Sequence, residues 1–254
     1  MLRTRVIPCL LLRGESLVKS VQFKTYNYIG DPINTVRIFN ELEVDELVFL
    51  DIAASREGKK PNYKILEQIA SECFMPLAYG GGLSDIRDIG RIFAIGFEKI
   101  VINSFAITDP DFITCLADKF GSQSIIGSID AKKNLWGRYE VFTHGGSRKA
   151  GKNPIDWALE LERLGVGELL VTSMDQDGTW NGYDIKLVES VTSKVHVPVI
   201  ANGGAGTVHH IGDVVKKGGA SAVALGSMVV FQGKDLGVLV NFPDTKQLKS
   251  QLNE

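Results

Sequence analysis

Val197-Pro198-Val199-Ile200-Ala201-Asn202-Gly203-Gly204-Ala205-Gly206-Thr207 is a short β-branched run that breaks into a glycine turn, with a helix start at Thr207. An apolar run of this length suits a strand buried on both faces, and the glycines let backbone N–H groups approach an anion closely. The same phrase stands earlier as Met75-Pro76-Leu77-Ala78-Tyr79-Gly80-Gly81-Gly82-Leu83-Ser84-Asp85, again followed by a helix-like stretch. Pro198 follows Pro76, Gly204 follows Gly82 and Glu168 follows Glu46 at one common offset of 122 residues. Pro-apolar-Gly strands occur throughout α/β proteins, but three landmarks at one offset make coincidence the weaker reading, and the chain reads as a duplication.

Composition bounds what is duplicated. The 254 residues, 44% hydrophobic and 23% charged, suit a soluble chain with a large core, and a net charge of -2 gives no electrostatic reason to expect nucleic acid or an anionic membrane. Cys9, Cys73 and Cys115 are widely spaced, odd in number and set among apolar residues, which favours reduced core thiols in a cytoplasmic protein over disulfides or a metal site. Neither a metal nor an organic cofactor is expected. The apolar run from Val6 to Leu12 is too short for a signal peptide before charge returns at Arg13, so it reads as a first strand, and no stretch is long enough to span a bilayer.

Strand-like runs fall near 5-12, 46-52, 76-80, 98-103, 124-130, 168-173, 197-202 and 221-227. Helix-like segments alternate with them, the first showing Asp31 as N-cap, Pro32 at the first helical position, and Ile33, Val36, Phe39 and Leu42 on one face. Others run over 62-73, 84-94, 109-119, 153-164, 183-193 and 207-217, with a weaker one near 245-252. Eight alternating units with an internal half repeat point to one (β/α)8 TIM barrel with half-barrel duplication over residues 1-254.

Two connections, Arg13 to Gly30 and Ala131 to Lys152, are too long for simple turns, and both follow carboxyl ends of strands, where barrels of this kind place their sites. The second holds Trp136-Gly137-Arg138-Tyr139-Glu140-Val141-Phe142, read as a small hairpin, and then His144-Gly145-Gly146-Ser147-Arg148-Lys149, a basic loop expected to touch an anion. Gly81, Gly82, Asn103 and Ser104 end strands 3 and 4, whereas Gly203, Gly204, Gly226 and Ser227 end strands 7 and 8. The duplication therefore predicts two phosphate sites across the mouth, fit for a small molecule with a phosphate at each end.

Several segments carry a family resemblance that spans essentially the whole chain: Leu47-Val48-Phe49-Leu50-Asp51-Ile52, Ser128-Ile129-Asp130-Ala131-Lys132, Thr172-Ser173-Met174-Asp175-Gln176-Asp177-Gly178-Thr179 and Asn202-Gly203-Gly204-Ala205-Gly206. They closely resemble HisF, the cyclase subunit of imidazole glycerol phosphate synthase. The resemblance implies a barrel that takes ammonia from a HisH-like glutaminase docked at its amino-terminal face and uses it on a bis-phosphorylated substrate at the other. It also implies site roles for Lys19, Asp51, Asp130 and Asp177, with Gly178 at a phosphate. Arg5, Glu46, Lys99 and Glu168, at the starts of strands 1, 2, 4 and 6, match the family's charged ring at the ammonia entrance; such a ring can be a stabilising plug in any barrel, but the resemblance favours a gate.

One position departs from the family. Aligning the halves sets Val6-Ile7-Pro8-Cys9-Leu10-Leu11 against Ile125-Ile126-Gly127-Ser128-Ile129-Asp130, so the family's first catalytic aspartate is replaced by Leu11. An apolar side chain cannot exchange a proton, which removes half of a general acid-base pair. A retained entrance with an altered centre is similar to the glycosyl amidation-associated, WbuZ-like branch, which the opening Arg5-Val6-Ile7-Pro8-Cys9-Leu10-Leu11-Leu12 also resembles. That likeness implies a subunit of a glutamine-dependent amidotransferase complex, working beside a sugar amidotransferase on a surface-polysaccharide sugar (acetamidino formation, as in lipopolysaccharide biosynthesis). A true histidine-pathway cyclase with a shifted site and a non-conducting scaffold for the glutaminase are the alternatives.

Overall fold

Successive side chains of a strand point to opposite sides, and in the computed structural model, which describes residues 3–252, both sides of the central strands are apolar. One set, including Ile7, Cys9, Val48, Val101, Ile126 and Leu170, packs together as a cluster of its own. The alternate set, including Leu10, Phe49, Tyr79, Ile129 and Leu169, joins the helices in a larger core. Two-sided burial of this kind belongs to parallel strands covered by helices.

The parallel strands are Arg5–Arg13, Leu47–Asp51, Leu77–Gly80, Lys99–Ile102, Ile125–Lys133, Glu168–Ser173, Val199–Asn202 and Ala222–Leu225. Each pairs with the next, and the eighth returns to the first with Arg5 opposite Ala222 and Pro8 opposite Leu225. The sheet is therefore closed, and the fold is a (β/α)8 barrel. The small cluster lies inside it, and the larger one fills the space between strands and helices.

The helices start where local chemistry allows. Asp31, Asn62, Asp85, Asn153, Asp184 and Thr207 each accept a backbone amide of the first turn that has no partner within the helix. The first helix, Pro32–Glu41, lays Val36 and Phe39 against the strands with no exposure at all. Leu42 departs from the expected face: it is the C-cap residue and 38% exposed, because the helix ends before its turn comes round to the core.

Both long connections are β-ribbons. The first strand runs on past the barrel and folds back through Ser16–Val21 and Thr25–Gly30. The fifth pairs in the same way with Tyr139–Thr143, which pairs with Arg148–Lys149. The hairpin expected within residues 136–142 is thus displaced: its first arm is the extended barrel strand, and Trp136 sits in the turn, fixed by the Asn134 side chain. The seventh strand begins at Val199 rather than Val197. Of the cysteines, only Cys9 is a core thiol; Cys73 is half-buried and Cys115 exposed, although all three are free. None of the helices is long and apolar enough to cross a membrane among the described residues.

The contrast on the first helix is testable. Phe39→Ala should cost about 3–5 kcal/mol by urea denaturation, whereas Leu42→Ala should change stability by only roughly 0.5 kcal/mol. Equal costs would mean that the helix packs on a different face.

Candidate functional site

The strand alternation that fills the barrel also aims the last inward residue of each strand into its carboxyl-end mouth. Leu11, Leu50, Asn103, Asp130, Thr172 and Asn202 arrive there in this way, in a cavity of about 880 Å³. Lys19 and Ser20 reach it from the first ribbon, His144 and Gly145 from the second, and Asp177 from the loop after the sixth strand.

Asp130 is the most perturbed acid of the mouth. Burial, and then the charge of Asp177, push its pKa up to about 7 against the hydrogen bonds of Thr172 and Asn103; Asn103 Nδ2 donates to its Oδ2 at 3.0 Å. Asp177 is buried and accepts the Ser20 hydroxyl at 2.5 Å. Asp51 accepts the amides of Ala53 and Ala54, at 3.0 and 3.1 Å, and burial outweighs them to raise its pKa. The Leu11 side chain lines the same cavity as these carboxyls and offers no proton. A carboxyl poised near neutrality can give or take a proton at pH 7. His144 also faces the cavity; burial, then Arg148, lowers its pKa, so it is a neutral imidazole there.

The two glycine turns are not equivalent. Gly81, Gly82, Asn103 and Ser104 all line the large cavity. The Ser104 hydroxyl oxygen accepts the His144 amide at 2.9 Å, which leaves its own proton free to donate. Gly82 is less available than expected, since its amide already meets Ser55 Oγ at 3.2 Å. On the other side, Gly178 and Ser227 line a second cavity of about 380 Å³, which meets the first at Lys19 and Ser20. Gly203, Gly204 and Gly226 line neither. A Cβ on Gly203 would stand 2.7 Å from the Ser173 carbonyl and one on Gly204 would strike the Gly182 carbonyl, but the first turn is as tight, since a Cβ on Gly81 or Gly82 would stand 2.6 Å from the Asp51 or Lys59 carbonyl; the turns differ in what they border and not in how closely they pack. Gly226 makes room for the Lys19 ammonium, with which any Cβ would collide.

Lys19 is buried at 5% exposure. Arg148 and Lys149 are exposed and line neither cavity; Lys149 pairs with Glu140 at 2.7 Å, so only the His144-Gly145 part of the basic loop reaches the site. Ser20, Ser128 and Thr172 were missed by the sequence reading. Counting back by two from Asp130 to Ser128, and forward by four from Glu168 to Thr172, would have found the last two. The described residues hold no group of three or more potential metal ligands.

At the opposite end Arg5, Glu46, Lys99 and Glu168 form one closed circuit. Arg5 meets Glu46 and Glu168 at 2.7 Å each, and Lys99 meets them at 3.1 and 3.3 Å. Burial lowers the Arg5 pKa, but the charges and hydrogen bonds of Glu168 and Glu46 outweigh it, and the net shift is upward. Two cations and two anions leave no net charge in a narrow barrel end.

A two-halved (β/α)8 barrel with ribboned loops, acids at its mouth and a charged closed end has the build of the barrels of histidine biosynthesis. The model of that family, described as histidine biosynthesis protein, matches residues 5–235, and the chain belongs to it as a HisF family member. A Pseudomonas aeruginosa relative, provisionally named imidazole glycerol phosphate synthase subunit hisF2, is 51% identical over 248 residues, 98% of this chain and 99% of the relative. A Leptospira borgpetersenii relative, provisionally named subunit HisF of that synthase, is 46% identical over 245 residues, 96% of each chain. One from Vibrio vulnificus, provisionally named subunit hisF3, is 44% identical over 253 residues, 99% of this chain and 97% of its own.

The raised Asp130 pKa makes a stability prediction. Its folded value near 7 lies above the unfolded carboxylate range near 4, so this group's stabilisation is complete below about pH 4 and lost as pH rises through 7. Asp130→Asn should therefore be more stable than the parent at pH 8, and the advantage should vanish towards pH 4, by at most about 1.4 kcal/mol per pH unit. Thermal melts at fixed ionic strength read this directly, and a pH-independent difference would contradict a desolvated carboxyl.

Proposed function

We propose that the chain is the synthase subunit of a glutamine-dependent amidotransferase complex, accepting ammonia through the ring at the amino-terminal end of its barrel from a HisH-like glutaminase. Its mouth delivers that nitrogen to a phosphorylated small molecule by chemistry other than the histidine-pathway cyclisation, and the outcome we propose is amidation of a surface-polysaccharide sugar. The observation that carries this reading is the contrast between the two ends: the charged circuit is complete, whereas Leu11 occupies the cavity that also holds Asp130. The wholly apolar cluster between them suits neutral ammonia, which crosses it at less cost than ammonium. Asp130 and Asp177 serve as the acid-base groups, Lys19 and Ser104 as anion donors, and the single body of residues 1-254 works as one barrel.

The names of the relatives support a second reading, a histidine-pathway cyclase, whose site would have shifted to Asp51 or Asp177. The two part on one assay. With external ammonium and the bis-phosphorylated histidine-pathway substrate, the purified barrel should turn over about 10²- to 10⁴-fold more slowly than an aspartate-bearing cyclase. Near-normal turnover would sink the amidation reading.

The ring is tested separately, against the reading of a non-conducting scaffold. Lys99→Met with Glu46→Gln removes one charge of each sign and leaves the Arg5–Glu168 pair, 2.7 Å apart, intact. Glutamine-dependent transfer by the complex should change, while ammonium-dependent transfer stays near the parent value. Lys99→Met alone should also destabilise, by less than the roughly 3–5 kcal/mol of a fully buried pair, since Lys99 keeps 16% and Arg5 28% of the side chain in solvent. A folded double variant with unchanged glutamine coupling would make the ring purely structural.

A further inference from the structure

His144 lines the cavity and has no role in the chemistry set out so far. It follows the strand Tyr139–Thr143, in the turn that leads to Arg148–Lys149, and its backbone is left-handed, with φ at 51°. Gly145 and Gly146 continue that conformation at 59° and 79°. A glycine would suit position 144 equally well, since it adopts this region without steric cost. The chain holds a histidine there instead, and backbone strain of this kind at a site points to a role for the side chain.

The turn is fixed in place. A Cβ on Gly145 would stand 3.3 Å from the Ile52 carbonyl and from Arg56, and one on Gly146 would collide with Met174 and press on Phe23. Residues 144–146 are thus wedged between the loop after the second strand, the first ribbon and the loop after the sixth strand. The end of the fourth strand ties the turn to Asp130: Asn103 Nδ2 donates to Asp130 Oδ2 at 3.0 Å, and the next residue, Ser104, accepts the His144 amide at 2.9 Å. Consecutive side chains therefore position a carboxyl and an imidazole in one cavity.

The tautomer of the ring follows from its partners. Thr143 is buried and gives its hydroxyl proton to the Arg148 carbonyl at 3.5 Å. Towards His144 Nδ1, 3.0 Å away, that hydroxyl can then only accept. Nδ1 carries the proton of the neutral ring, and Nε2 keeps its lone pair, with no hydrogen-bond partner among the described residues. The charged groups around the turn and the cavity are Arg148, Arg56, Lys19, Asp51, Asp130 and Asp177. Burial first and Arg148 second lower the His144 pKa, whereas Asp130 is held near 7. A neutral base and an acid near neutrality can pass protons both ways at pH 7.

We propose that His144 is a further catalytic residue of the mouth, the base that takes a proton from the incoming nitrogen through Nε2. The proposal rests on the nitrogen-transfer reading above. As the lone pair of ammonia bonds to a carbonyl carbon of the acceptor, the π pair of that carbon moves onto its oxygen, which takes the Asp130 proton. The nitrogen, now positive, sheds one proton to Nε2. Water then carries that proton from the imidazolium to the Asp130 carboxylate, and both groups regain their starting forms.

The test uses the purified full chain, with external ammonium and the bis-phosphorylated histidine-pathway substrate as the probe. His144→Gly suits a backbone at φ 51°, so its melting temperature should not fall. Its turnover should nevertheless drop about 10²-fold, the lower end for a lost proton-transfer group. Added imidazole should restore part of that loss by entering the vacated space. His144→Asn, which also tolerates the left-handed region, should be as slow as His144→Gly. Parent-like turnover in His144→Gly, or a loss that imidazole leaves untouched, would overturn the proposal. If the parent's own turnover lies below detection, the nitrogen-15 resonances of the ring decide: Nδ1 should be protonated, Nε2 bare, and the Nε2 signal should move when the same substrate is added at millimolar concentration. A protonated Nε2 or an unmoved signal would count equally against it. The two readings fail separately. Near-normal turnover by the parent sinks amidation and leaves His144 to the same comparison, whereas a His144→Gly variant as fast as a slow parent sinks the role of His144 alone.

Discussion

A strand exposes alternate residues to opposite sides, and closing eight parallel strands into a ring turns that alternation into a strict division of labour. Inward positions can only line the axis, and outward ones can only pack on helices. Along the first strand the inward series is Arg5, Ile7, Cys9 and Leu11, so a charged amino-terminal end, an apolar interior and the mouth lie on one face of nine residues. The sixth strand repeats this order with Glu168, Leu170 and Thr172. A shift by one residue in either strand would exchange the axis for the helix-packed core, and that register is what both ends of the barrel depend on.

The two ends solve opposite electrostatic problems. At the amino-terminal end, four charges neutralise one another in a circuit, so none is left buried without a partner. At the mouth, burial first and the charge of Asp177 second raise the proton affinity of Asp130. A leucine at position 11 removes a third carboxyl from that neighbourhood. The mouth therefore retains an acid poised near pH 7 but lacks the symmetrical partner that the half-barrel repeat would supply.

The duplication reaches further than the glycine turns. The first and fifth strands are each nine residues long, and each continues past the barrel into an antiparallel ribbon. Both ribbons bring polar groups back over the cavity, Lys19 and Ser20 from one and His144 from the other. The halves have nevertheless diverged in use. Both glycine turns lie tightly against neighbouring backbone, but Gly81 and Gly82 line the large cavity, whereas Gly203 and Gly204 line neither cavity.

Much was legible in the sequence because it is written in local patterns. Eight apolar runs, the side-chain caps at Asp31 and Thr207 and one repeat offset specify alternating strands and helices, and a half repeat of four units leaves a closed barrel as the simplest way to bury every strand on both faces. The charged ring at the amino-terminal end could be read as well, since each of its residues opens a strand or immediately precedes one, and so has its end and side determined by register. What the sequence could not decide was anything set by contacts between distant loops. Gly82 and Gly204 occupy equivalent places in the repeat, yet Gly82 lines the large cavity, whereas Gly204, closely approached by Gln176 and Gly182, lines neither. Arg148 belongs to a basic loop by composition, but the pairing of residues 139–143 with 148–149 turns it away from the cavity that His144 enters. Those outcomes depend on which surfaces come within a few ångströms once the barrel has closed, and local propensity carries no information about that distance.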